Sequence, residues 1–65
     1  MTDWERQLRR REIAINFYLS ELEREDIDRG SRLAYERIAQ NILNVADELP
    51  QRYHIRWQQY KSRRK

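Results

Sequence analysis

Sixty-five residues with one glycine, one proline and no cysteine make at most a single domain, without disulfides or thiolate metal sites. Cations outnumber acids 14 to 11, for a net charge of +3, and 38% of the residues are charged. A chain this short buries only about 60% of its unfolded surface, so it needs very good helix packing or self-association, and the second is favoured.

The apolar residues recur at helical spacing, which argues against disorder despite the charge. One glycine and one proline argue against a multi-stranded fold. No apolar run approaches the roughly 18 residues of a membrane span. The start, "MTDWERQLRRRE", has no apolar segment behind its basic residues, so no signal peptide is expected. The expected class is a soluble, cytoplasmic, all-α protein, with residues 1–60 as one helical domain and residues 61–65 as a basic frayed tail.

A first helix is expected over about residues 3–25. "TDWE" fits a capping box, with Thr2 accepting from the backbone of Glu5. Trp4, Leu8, Ile15, Tyr18, Leu19 and Leu22 form its apolar stripe, with Arg11 inside the stripe. A turn is expected at about residues 26–31, and a second helix over about 31–48 with the stripe Ala34, Tyr35, Ile38, Ile42, Val45 and Leu49. One continuous helix would place the second stripe roughly 120° from the first, leaving no common seam. A turn resets that phase and gives an antiparallel hairpin. Gly30 suits a left-handed helix end, and Asp28 or Ser31 suits the next N-cap.

Pro50 ends the second helix or starts a third. Tyr53, Trp57 and Tyr60 follow at i, i+4, i+7, a helical stripe, although Tyr53, Ile55 and Trp57 also alternate like a strand. A lone strand would have no partner, so a short third helix over about residues 51–60 is preferred, with the bundle completed by self-association.

All eleven acids lie in residues 1–49 against eight cations, giving −3, whereas residues 50–65 carry +6. Arg6, Arg9, Arg10 and Arg11 crowd the start of the first helix, and Glu21, Glu23, Glu25, Asp26 and Asp28 crowd its end and the turn. The expectation is a rod with an acidic tip and a composite basic end, where the arginine cluster meets the C-terminal segment. Candidate contacts to phosphate or an acidic partner are Arg6, Arg9, Arg10, Arg52, Arg56, Lys61, Arg63, Arg64 and Lys65. Tyr53, Trp57 and Tyr60 are candidate stacking or packing aromatics, with packing favoured.

Ile13, Phe17, Leu33 and Leu43 fall outside the core stripes and are candidate residues of a protein interface. A third helix folding back over Ile13 and Phe17 would account equally well for that pair. His54 has no acid or nucleophile near it in sequence and reads as a surface or packing histidine. The acidic stretch "ELEREDIDRG" has the wrong glycine offset for a calcium loop and lacks its terminal glutamate. No catalytic motif, phosphate loop, metal site, cofactor or small-molecule substrate is expected.

The length, the turn position and the string "ADEL" at 46–49 resemble the small homodimeric hairpin proteins that pair into four-helix bundles, such as the plasmid RNA-binding repressor Rop. Pro50 and the basic tail depart from that pattern, and no functional residue is carried over. The expected function is a non-enzymatic helical interaction module, a regulator or adaptor that self-associates as a dimer or docks a protein partner through apolar helix faces. The alternative is a nucleic-acid-binding regulator using the composite basic end. Membrane binding is the weakest reading.

Overall fold

Residues 2–64 are described here from a computed structural model. They form three helices, α1 (Asp3–Leu22), α2 (Arg29–Val45) and α3 (Gln51–Arg63), with no strand among the described residues. α1 packs against both α2 and α3, and the molecule is elongated at 38 × 19 × 15 Å.

The Thr2 hydroxyl starts α1 by accepting from the Glu5 N–H at 3.2 Å, the contact read from the capping box. α1 ends at Leu22, before the expected residue 25. The Arg24 guanidinium holds both oxygens of Asp26 at 3.0 Å and Glu21 at 3.0 Å, folding the chain across itself. This fork holds the Asp26 carboxyl below the usual carboxylate range. Asp28 then caps α2, its Oδ2 accepting from the Ser31 N–H at 3.2 Å. The turn is therefore earlier than expected, at residues 23–28, and the left-handed role assigned to Gly30 is wrong. Gly30 sits in the first turn of α2, and no described residue has positive φ.

The core is one cluster: Ile15, Leu19 and Leu22 from α1, Ala39, Leu43 and Ala46 from α2, Leu49 from the connection, and Tyr53, Trp57 and Tyr60 from α3. Leu8, Tyr18, Ile27, Tyr35 and Ile42 pack at its edge. The face of α2 differs from the expected stripe. Ile38 and Val45 are exposed, whereas Ala39, Leu43 and Ala46 are buried. The reason is the third helix: α2 must face α1 and α3 together, so its buried side is turned toward α3 from the stripe expected for a two-helix hairpin. Leu43, expected on a free surface, is a core residue for the same reason.

α3 spans residues 51–63, so the strand alternative fails and the helix runs on through Lys61 to Arg63, where a frayed tail was expected. Lys61 and Arg63 lie in its last turn, where cations suit the negative end of the helix dipole. Lys65 lies outside the described residues. Among the described residues, no helix is long and apolar enough to cross a membrane.

The connection 46–50 is short, so α3 reverses on α2 and runs parallel to α1. Arg52 reaches Glu12, Arg56 reaches Glu23, and Arg63 and Arg64 arrive at the cleft beside Leu22, Glu25 and Ile27. The composite basic end is therefore not assembled. The arginines of α1 and the last cations of α3 lie at opposite ends of the molecule. A third helix also occupies the hairpin groove that, in a homodimeric four-helix bundle, would face a second hairpin.

Candidate functional site

Two surfaces hold the sequence-predicted residues: the inner and outer sides of α3, and the hairpin face that α3 leaves open. The inner side is an aromatic row with every polar tip answered from α1 or α2. Tyr53 Oη donates to Glu12 Oε2 at 2.9 Å, Trp57 Nε1 donates to Gln40 Oε1 at 3.1 Å, and Tyr60 Oη donates to Glu36 Oε2. The Trp57 and Tyr60 rings stack at 5.7 Å between centroids. Burial of a phenol or indole is favourable when its polar atom keeps a partner. No buried side-chain nitrogen or oxygen among the described residues lacks one.

The three aromatics are almost fully buried, so they offer no ring face to a nucleic-acid base. Of the two roles considered for them, the structure supports packing. Sequence reasoning missed their partners Glu12, Glu36 and Gln40. The available signal was position: each flanks a core stripe, where a polar side chain can accept from a buried phenol or indole.

Arg56 also leaves the group of candidate phosphate contacts. Its guanidinium donates to Asn16 Oδ1 at 2.9 Å, to Ser20 Oγ at 3.4 Å, and to both oxygens of Glu23 at 2.9 and 3.3 Å. A two-toothed arginine–carboxylate pair with further acceptors is a geometry-setting contact, and here it fixes α3 on α1. Arg52 is more open: it contacts Glu12 at 2.9 Å and lies 5.0 Å over its neighbour's Tyr53 ring, with two-thirds of its side chain in solvent. Arg6, Arg9 and Arg10, with Arg11, are exposed and form no ion pair with a described residue. Lys61, Arg63 and Arg64 are exposed as well. Lys61 Nζ sits 5.5 Å over the Trp57 ring. His54 is half-buried on the flank of α3.

Burial, and next to it the Glu36 carboxylate, push the Tyr60 hydroxyl up to about 12, with Arg64 and Arg32 opposing weakly. In the unfolded chain it titrates near 10. Between these values the folded protein keeps a proton that the unfolded chain has lost. The contribution is thus complete below about pH 10 and disappears as pH rises through about 12. In Tyr60→Phe this alkaline decline should vanish from urea midpoints taken at stepped pH. An unchanged decline would mean that Tyr60 does not carry it.

α3 does not cover Ile13 and Phe17, contrary to one of the two expectations for that pair. Ile13 is 63% exposed and Phe17 50% exposed. The polar contacts of α3 fall on Glu12, Asn16, Ser20 and Glu23 of α1, leaving Ile13 and Phe17 beyond its reach. Phe17 instead lies edge-on to Tyr18 at 5.2 Å and to Tyr35 of α2 at 6.3 Å. On α2, Ile38 and Val45 (36% and 62% exposed) share one side of the helix with Ala34. These three lie within about 40° of helix arc. Leu33 is exposed but sits roughly 140° round α2 from Ile38, so it belongs to a different surface.

Among the described residues no group of three or more histidine, cysteine or acidic side chains is placed to hold a metal ion. No family model matches this chain, and no curated protein and no solved structure is significantly similar to it.

Proposed function

We propose that the chain is a small non-enzymatic interaction module, a regulator or adaptor that self-associates, or docks a protein partner, through the open apolar face of the α1–α2 hairpin. One observation carries this reading: with α3 docked on the hairpin, Ile13, Phe17, Ile38 and Val45 of α1 and α2 remain exposed. Single exposed apolar residues are ordinary, but here two on each of two packed helices, with Phe17 edge-on to Tyr35 between the helices, offer apolar surface for an interface.

A second copy is the preferred occupant. A two-fold axis brings the same patch from each molecule together and completes a helical bundle. Fully burying an Ile, Val or Phe side chain stabilises by about 1.5–3 kcal/mol, and a symmetric contact counts each residue twice. That is of the size needed to offset an association cost of about 4–15 kcal/mol.

Sedimentation equilibrium tests this. The wild type should dimerise with little dependence on salt. Phe17→Asp and Ile38→Asp should each give a monomer with unchanged helical circular dichroism, because both side chains are outside the core. A wild type that stays monomeric across the concentration range rules out self-association. An aspartate variant that remains dimeric would place the interface elsewhere.

A further inference from the structure

The outer side of α3 has a composition unlike the rest of the surface. Gln51, His54, Ile55, Gln58, Gln59 and Ser62, with Arg63 at the end, line one continuous surface. At 100° per residue the six uncharged positions occupy about 140° of arc, facing away from Tyr53, Trp57 and Tyr60. In a chain with 38% charged residues, this strip carries no acid and one cation, Arg63, which lines its end. α3 as a whole contains no acid. Its exposed cations border the strip, with Arg52 near the start, Lys61 on one flank and Arg63 at the end, while Arg64 follows the last turn and lines the cleft beside Glu25.

We propose that this face of α3 reads double-stranded DNA, lying in the major groove with its glutamines and Ser62 on base edges and its bordering cations on phosphates. The surface does not depend on the open hairpin face, so the proposal stands apart from self-association.

Four features support duplex DNA as the occupant. First, a glutamine amide presents a donor and an acceptor side by side, the pair that matches adenine in the major groove, and a hydroxyl suits any base. Ile55, half exposed among them, offers apolar contact to a thymine methyl. Second, charge is complementary: an acid-free helix edged by cations meets a polyanion, and phosphate contacts set register while base contacts set sequence. Third, the dimensions agree. A helix about 10–12 Å across enters the major groove of B-form DNA, about 12 Å wide, whereas the deep, narrow major groove of duplex RNA excludes it. Fourth, α3 is a fixed platform. Its inner aromatics are buried and hydrogen-bonded, and Arg56 clamps it to α1. Outward side chains held on a rigid element can be positioned for recognition. Of the acids nearest its end, Glu23 is engaged by Arg56 and Glu21 and Asp26 by Arg24, which leaves Glu25, in the cleft beside Arg64, as the one to oppose a phosphate.

The test uses the full chain and fluorescence anisotropy with a short mixed-sequence DNA duplex, followed by selection of preferred duplexes from a random pool. The wild type should bind with affinity that falls steeply as salt rises. Lys61→Gln with Arg63→Gln should weaken all sequences alike and reduce the log–log salt slope by about 2, one for each lost phosphate contact. Gln58→Ala with Gln59→Ala should keep non-specific binding but lose preference for the selected duplex by about ten- to a hundredfold. Gln58→Glu with Gln59→Glu should abolish binding while helical circular dichroism stays intact, since both positions are solvent-facing. Absence of salt-sensitive duplex binding, tighter binding to duplex RNA, or undiminished binding by the double glutamate variant overturns the proposal.

Discussion

Trp57→Ala should remove about 3–5 kcal/mol, most of the stability this domain can hold. A domain of this length holds roughly 3–10 kcal/mol in total, from the usual figure of about 0.05–0.15 kcal/mol per residue. Trp57 is buried between α1 and α2, stacks on Tyr60, and donates to Gln40 at 3.1 Å. Its truncation opens a cavity under α3, ends the stack and leaves the Gln40 carbonyl without its donor. Gln40 keeps only its bond to Asn44 at 2.9 Å. Urea unfolding followed by far-ultraviolet circular dichroism should show a large fall in midpoint, with a smaller slope if α3 is already undocked. A variant that unfolds within about 0.5 kcal/mol of wild type would mean that α3 does not contribute its aromatic row to the core.

Leu19→Ala is expected to cost about 2–5 kcal/mol, and Trp4→Ala no more than about 0.5 kcal/mol. Both residues fall in the apolar stripe of the first helix, and tryptophan is the larger side chain. Leu19 is completely buried where α1 meets the rest of the core, whereas Trp4 is 58% exposed near the start of α1. The cost therefore follows position in the packed core, not size or hydropathy. Paired urea midpoints check it. A Trp4 variant as damaged as the Leu19 variant would require the start of α1 to be covered.

Both expectations show where sequence patterns succeed and where they stop. Helical spacing identifies Trp4, Leu8, Ile15, Tyr18, Leu19 and Leu22 as the packed side of α1, and all but the exposed Trp4 are core or core-edge residues. The capping residue Thr2 is legible for the same local reason: a hydroxyl three residues before an unpaired backbone N–H has a short-range contact to make. α2 is harder because it is apolar over a wide arc. Ala34, Ile38 and Val45 on one side, and Ala39, Leu43 and Ala46 on the other, are equally plausible faces of an isolated helix. The choice between them depends on a neighbour that the local pattern does not contain.

The candidate surfaces divide in the same way. The acid-free character of α3 and its aromatic spacing are visible in the residues themselves. Which side of α3 faces outward follows from that spacing only once Tyr53, Trp57 and Tyr60 have somewhere to pack. The destinations of Arg52 and Arg56 were not legible, because their partners on α1 lie about forty positions earlier in the chain, far beyond any local pattern.

By itself, then, the sequence determined the helical class, the break between the first two helices and the opposed charge of the two chain segments, and it favoured a proline-led third helix over a strand. Each follows from short-range effects: periodicity, capping, the missing N–H of Pro50, and composition. Only the tertiary structure decided the rotation of α2, the burial of Leu43, the exposure of Ile13 and Phe17, and the direction of α3. The direction matters most for function. A short connection reverses the chain and buried aromatics seat α3 along α1, which carries the C-terminal cations away from the Arg6–Arg11 cluster to the turn. Long-range packing sets that arrangement, and no property of residues 51–64 taken alone distinguishes it from the opposite one.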